Sequence, residues 1–257
     1  MTIYKLDLHT QPQINKNNIK NFLSKLFQKR GNLVLGIANW NNDGRYEKFL
    51  KAIKFLPKRY QVNLKNKDYF ISITKNKKTI HIIKTDEIET NKGHILIVGY
   101  KGKVKKRRNL KELLKIAHKS GCIIIANHPL HGNNIAYFLI LKLIGNKYKL
   151  SLDKKDIKKN KFDAVELNPY FQEDWKKIKK FAKKEKIKIV ADSDAHFFDE
   201  LFKSYFEVKD LNFKNPKTFK KSLKKDFKKH IKIHAQKHGF IAKYKHIIQS
   251  ILENIKK

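Results

Sequence analysis

From Ile3 to Ala191, short β-branched runs alternate with longer stretches of helical periodicity. Ile3–Leu8, Leu33–Ile37, Tyr69–Thr74, Thr79–Lys84, His94–Gly99, Cys122–Ala126, Asp163–Leu167 and Ile187–Ala191 read as strands. Several are continuously apolar, as expected of strands covered on both faces. Asn17–Lys29, Tyr46–Phe55, Leu110–Lys119, Asn134–Leu143 and Phe171–Lys184 read as helices. Gly31-Asn32 and Asp43-Gly44 are turn signals, and Asn66–Asp68 and Lys75–Lys78 bracket a hairpin. The alternation predicts an α/β fold with a mostly parallel sheet. No internal repeat is visible.

From Asn215 onward the pattern changes. Pro216 opens a helical stretch, Lys217–His230, and Ile231–Ile255 reads as a second helix with Lys and His opposite its apolar face. We therefore divide the chain into a main domain, 1–210, and a basic helical extension, 211–257. The extension reads either as a tail packed on the main domain or as a basic arm for a partner. His230, His234 and His238 have the spacing of one helix face but no carboxylate nearby, so a solvated face explains them.

Composition narrows the class. The 257 residues carry 60 Lys+Arg against 23 Asp+Glu, a formal net charge of +37. A hydrophobic content of 40% is enough for a core and argues against wholesale disorder. One Cys cannot build a disulfide framework or a thiolate zinc site, and it points to a reducing, cytoplasmic setting. No apolar run reaches the roughly 20 residues of a membrane span, and the first residues lack the pattern of a secretory signal. The charge favours polyanions. However, only Arg30, Arg45, Arg59, Arg107 and Arg108 are arginines. Arg is the residue best shaped for bidentate phosphate contacts, so the Lys excess also fits compositional drift.

The chemistry collects at strand ends. Asp7 and His9 end the first strand, Asn39 and Trp40 follow the second, and Glu87 follows Thr79–Lys84. His128 follows Cys122–Ala126, Glu166 and Asn168 close Asp163–Leu167, and Asp194 and His196 follow Ile187–Ala191. In a parallel sheet or barrel the C-terminal strand ends share one face, where ligands bind. A barrel would also bring its first and last strands together, and with them His9 and His196. His and carboxylates without thiolates suit zinc, manganese or iron, and paired metals are a common hydrolytic arrangement. There is no GxGxxG after a strand, no phosphate loop, no HExxH and no GxSxG. Cys122 reads as a buried thiol, and His81 and His118 as structural.

These residues resemble the polymerase and histidinol phosphatase (PHP) family. Leu6–Thr10 resembles its first motif, DLHTH, and Gly36–Trp40 lies where the family has G-x-x-x-D-H. Asp86–Thr90 followed by Gly93–Leu96 resembles its GxEx(S/T)…GHxL segment. Ala126–Pro129 resembles the HP motif, Asp163–Asn168 resembles DxxExxN, and Asp192–His196 resembles the closing SDAH. The matches run in the family's order over residues 3–197. The resemblance implies a distorted, TIM-like (β/α)7 barrel with metals at its C-terminal face. It implies His9, Glu87, His94, His128, Asp194 and His196 as metal ligands, with Glu87 bridging two ions and Glu89 a weaker alternative. His128, Asp194 and His196 are the candidate catalytic residues, and Asn127 and His131 border the site.

The chain departs from the family at two places. Gln11 replaces the second His of the first motif, and Asn39-Trp40 replaces the D-H pair. One or two divalent ions (Zn, Mn or Fe) are therefore expected rather than three. The expected activity is metal-dependent hydrolysis of a phosphate ester, in a phosphorylated small molecule, a nucleotide or nucleic acid. The alternative is a catalytically impaired module that binds RNA or another partner. A PHP-like subunit of ribonuclease P is the fold-level analogy for that reading.

Overall fold

A computed structural model describes residues 1–104, 109–130, 151–227, 229 and 232–237. Among these, eleven strands form one sheet. They are β1 (Ile3–Thr10), β2 (Asn32–Trp40), β3 (Gln61–Asn63), β4 (Phe70–Lys75), β5 (Lys78–Thr90), β6 (Gly93–Val98), β7 (Ile123–Ala126), β8 (Ala164–Leu167), β9 (Lys188–Ala191), β10 (Tyr205–Lys209) and β11 (Lys232–His234). The barrel wall runs β1-β2-β5-β6-β7-β8-β9, with β10 and β11 continuing outward from β1. The helices are α1 (Ile19–Gln28), α2 (Arg45–Ala52), α3 (Leu110–Lys119), α4 (Lys154–Lys159), α5 (Trp175–Glu185) and α6 (Pro216–Phe227). The result is a mixed α/β fold whose sheet is a nearly closed, TIM-like barrel.

All eight predicted strands form. The expected mostly parallel sheet needs correction. β1–β2, β2–β5, β7–β8 and β8–β9 are parallel, but β6 runs antiparallel to both β5 and β7, and the β3–β4 and β10–β11 pairs are antiparallel. The cause is local. Only Asn91-Lys92 separates β5 from β6, and a two-residue connection has no room for a crossover.

Apart from the short α4, the helices cover the wall with one apolar stripe each. α1 buries Ile19, Phe22, Leu23 and Leu26, a three-four spacing that sets one face on β2 and α2. α3 is capped by the Asn109 side chain, which accepts from Lys111 N. It joins α5 over β7 and β8. Phe219, Leu223 and Phe227 of α6 pack with Leu6, Leu8, Val34, Leu96, Ile125 and Phe206. That apolar fill leaves the opposite, C-terminal end of the strands for polar groups.

Between β9 and β1 the wall has no continuous ladder, and side chains close the seam. Thr10 and Ala195 form an isolated parallel bridge, with Gln11 N donating to Ala195 O at 2.8 Å. Asp192 Oδ1 accepts Leu8 N at 2.5 Å. Asp7 accepts Ser193 N and Oγ at 2.9 and 2.6 Å and Phe202 N at 2.8 Å.

The C-terminal reading needs a second correction. Lys232–His234, expected within a helix, is β11, paired with β10. Ile233 thereby packs against the core, and His234 stacks on Tyr205 at 4.4 Å. His234 also has the carboxylate neighbour that the solvated-face reading denied it, with Nε2 3.1 Å from Glu207 Oε1. His230, His238, most of Ile231–Ile255 and Asn134–Leu143 lie outside the described residues. Three described elements besides β11 had no counterpart in the sequence reading: β3, α4 and β10. Among the described residues no helix is long and apolar enough to cross a membrane.

A β-bulge in β1 has consequences for the site. Asp7 pairs with Leu35 and Thr10 with Ile37, so three steps along β1 oppose two along β2. The extra residue lets Leu8 face the core while His9 reaches the polar end. It also brings the backbones together at Gly36, where a Cβ would lie 2.2 Å from Leu8 O. Gly36→Ala is expected to destabilise the fold by about 2 kcal/mol or more, because backbone must move. Chemical denaturation of the two proteins measures this.

His81 supplies a pH test. Its ring stacks on Phe213 at 3.6 Å, its Nδ1 lies 2.8 Å from Ser72 Oγ, and burial pushes it down to about 4. The folded state keeps the ring neutral while the unfolded chain protonates it near 6.5. Its contribution is present above pH 6.5 and is lost as pH falls toward 4. His81→Phe keeps a ring on Phe213. It is expected to flatten the stability profile in that window by up to about 3 kcal/mol, read from denaturation series at each pH.

Candidate metal centre

The six sequence-predicted site residues come together at the C-terminal end of the barrel wall. His9 leaves the β1 bulge, and Glu87 lies within β5 rather than after it. His94 opens β6, and because β6 is antiparallel its start lies at the same end of the wall as the finish of β5. His128 follows β7, and Asp194 and His196 follow β9. All six are buried, and Glu166, Asn127 and Asn168, buried too, lie in contact with them.

His94, His128 and Glu87 form a compact tripod. His94 Nδ1, His128 Nε2 and Glu87 Oε1 each lie 3.3 Å from the other two. Ligands about 2.0–2.1 Å from a tetrahedral ion lie about 3.3–3.4 Å apart, so this spacing fits one divalent cation with a fourth position open. The donor chemistry fits as well, since two imidazoles and a carboxylate suit zinc, manganese or iron. A network of hydrogen bonds is a poorer account. The contacts are long for charge-assisted bonds, and two ring nitrogens face each other. This buried Glu/His/His group can hold a metal.

From Glu87 a chain of contacts leads to the remaining residues. Its other oxygen, Oε2, lies 2.8 Å from His9 Nε2 and 2.5 Å from Gln11 Nε2. His9 Nε2 is 3.3 Å from Asp194 Oδ1, which is 3.7 Å from His196 Nε2. Burial alone would push the His9 imidazole down, but Asp194, Glu87 and Glu166 outweigh it and hold His9 well above its ordinary value. Burial would raise Glu87, yet the charge of His9 and the close approach of the His128, His9 and His94 rings hold it well below the usual carboxylate range. Asp194 goes the other way: burial dominates and holds it well above that range. His128 is pushed down, chiefly by burial, which favours the neutral imidazole that a metal requires.

Two of the six sit in strained backbone. His128 has φ 27° and Asp194 φ 49°, in the left-handed region that non-glycine residues seldom occupy. Such conformations cost about 1–3 kcal/mol each and concentrate at functional sites. Surrounding bonds hold both residues. Glu166 Oε2 accepts His128 N at 2.7 Å, and Asn168 Nδ2 donates to Asp194 Oδ2 at 2.8 Å.

Glu166 was absent from the predicted ligand set and is central to the geometry. Its Oε1 lies 2.7 Å from His9 Nδ1 while Oε2 holds the His128 backbone, so one carboxylate orients residues on two strands. The available signal was a single acidic residue inside the otherwise apolar run Ala164–Leu167. Asn127 Nδ2 does border the site, 3.5 Å from His9 Nδ1. His131 lies outside the described residues. Glu89 turns away from the tripod and pairs with Asn41, its N accepted by Asn41 Oδ1 at 2.9 Å. Asn39 also turns away: Nδ2 donates to Asp86 and Oδ1 accepts Tyr46 N. Trp40 sets its ring edge-on to His94 at 4.9 Å. Cys122 is a fully buried thiol, pushed up to about 11 by burial.

No protein-family profile matches the chain, and no curated protein matches it significantly. Solved structures do. PsfC from Pseudomonas syringae PB-5123 is similar over 100% of this chain and 99% of its own, with TM-score 0.62 and 12% identity. Endonuclease Q, in complex with a 27-mer duplex substrate with an abasic lesion at the active site, is similar over 90% of this chain, with TM-score 0.54 and 18% identity. The lesion-specific endonuclease PfuEndoQ from Pyrococcus furiosus matches with TM-score 0.51 at 18% identity. This chain spans 58% and 57% of those two endonucleases. At such identities the likeness concerns the fold, and it supports a PHP-like barrel.

Glu166→Gln preserves shape and removes the charge that orients His9 and His128. It is expected to weaken divalent-metal affinity by about 10–100-fold, measured by calorimetric titration of the metal-stripped protein with Zn²⁺.

Proposed function

We propose that the chain is a metal-dependent phosphoesterase acting on phosphate esters, with nucleic acid the favoured substrate class. The observation that carries this reading is the 3.3 Å tripod of Glu87, His94 and His128. The fold likeness to endonucleases, one of them bound to a DNA duplex, supports the choice of substrate class. So does the formal net charge of +37, which draws polyanions toward a pocket whose own groups are carboxylates and imidazoles.

Glu87, His94 and His128 would hold one divalent ion, with His9, Asp194 and His196 facing the reacting phosphate beside it. A cation bound there supplies positive charge to a phosphate oxygen and lowers the pKa of a coordinated water toward neutrality. His196, outside the tripod, would pass a proton to the leaving alkoxide as water forms the new P–O bond and the ester P–O bond breaks. Asp194 Oδ1 lies between the two rings, 3.3 Å from His9 Nε2 and 3.7 Å from His196 Nε2, and would draw both toward the same point by electrostatic attraction. Glu166 holds His9 and the His128 backbone in register, so the groups meet substrate without rearranging.

A second reading keeps the fold and drops the catalysis: a PHP-like module that binds RNA or another partner. The bonded Asn39 and the bulk of Trp40 favour it, because both occupy positions where the resembled motif has ligands.

The test is hydrolysis by the purified protein with Mn²⁺, Zn²⁺ or Fe²⁺. Substrates are a chromogenic phosphomonoester, an undamaged DNA duplex and a duplex with one abasic site. Turnover should be lost on chelation and fall at least about 100-fold in His128→Ala. Turnover no higher than that of His128→Ala, with salt-sensitive RNA binding that needs no metal, would establish the second reading instead.

A further inference from the structure

We propose that Gln11 limits this centre to a single metal ion, by supplying to Glu87 Oε2 the hydrogen bond that takes the place of a second cation. The proposal rests on the metal-binding reading above and sets its stoichiometry. Glu87 is a divided carboxylate. Oε1 faces the two imidazole nitrogens of the tripod at 3.3 Å. Oε2 faces Gln11 Nε2 at 2.5 Å and His9 Nε2 at 2.8 Å. A carboxylate oxygen has about two lone-pair sites, and both of those on Oε2 are used. Glu87 thus acts as a terminal ligand through one oxygen rather than as a bridge between two ions.

The orientation of the amide follows from chemistry. Turned over, Gln11 would set a carbonyl oxygen against a carboxylate oxygen at the same short distance, with repulsion in place of a bond. Little freedom remains for it to move. The Gln11 side chain is buried, its N–H donates to Ala195 O at 2.8 Å, and its carbonyl accepts Arg45 Nη1 at 2.5 Å. Arg45 is itself paired with Asp43. The residue is therefore held at both backbone groups, and its amide nitrogen is set on Glu87 Oε2, with His9 Nε2 beside it at 3.2 Å.

Gln11→Glu tests this with almost no change in shape. It replaces the donor with a second carboxylate against Glu87 Oε2, and two such oxygens tolerate each other only with a proton or a cation between them. Gln11→His offers an imidazole ligand instead and covers the case in which Gln11→Glu fails to fold. Metal-stripped proteins are titrated with Co²⁺ by visible absorption, and the Zn²⁺ content after equilibrium dialysis is measured by elemental analysis. Wild type should saturate at one equivalent, and a folded variant should take a second. Two or more tight equivalents in wild type, or one equivalent in both wild type and folded variants, overturns the proposal while leaving a metal centre in place. No tight metal in wild type removes the metal-dependent reading itself, and this inference with it.

Discussion

The site depends on the seam between the two ends of the barrel wall, and the seam depends on Asp7. This buried carboxylate accepts Ser193 N, Ser193 Oγ and Phe202 N, and Asp192 returns the contact by accepting Leu8 N. Those bonds replace the ladder that β9 and β1 do not form. They bring Asp194 within 3.3 Å of His9 across most of the chain's length. Burial raises Asp7 to about 7 despite the three bonds it accepts, so closing the seam works against desolvation. Apolar packing beneath it offsets that cost, with Leu6, Leu8, Phe206 and Phe219 fully or almost fully buried.

Above the seam, electrostatics arranges the pocket in pairs. Glu166 and Glu87 flank His9 on its two ring nitrogens, and Asp194 adds a third carboxylate. None of these groups reaches water freely: the His9 charge opposes those of Glu87 and Glu166, while burial holds Asp194 well above the usual carboxylate range. The tripod is the point where the pairing is incomplete among protein groups: its donor atoms all carry lone pairs toward one another. A cation there would complete it, whereas the His9 corner is a buried ion network among protein groups.

Much of this was legible in the residues. The β-branched runs gave the barrel strands because long buried strands carry a strong apolar signal, and polar residues at their ends marked the face where chemistry collects. What escaped had weaker signals. β3 and β11 have three residues each, too few for a period to show. α4 buries only Ile157, so it has no stripe to read. β10 does alternate, with Phe206 and Val208 inward, but over five residues. The reversal of β6 and the roles of Glu166, Asp7 and Gly36 depend on which strands become neighbours. Local periodicity does not encode that. The resemblance supplied the candidate ligands, while the division of Glu87 between two oxygens became visible only in three dimensions.

The tight Asn91-Lys92 turn also shapes how the tripod assembles. Glu87 and His94 face one another across a single hairpin, where Glu87 pairs with Leu96 and Glu89 with His94. Two of the three donors are thus joined by a short, local loop with little closure entropy. Only His128 must be recruited from afar, by β7 docking on β6. The centre therefore has one moving joint rather than three. Thermal loosening of the barrel would separate a rigid pair from a single partner, and the same docking event restores all three donors at once.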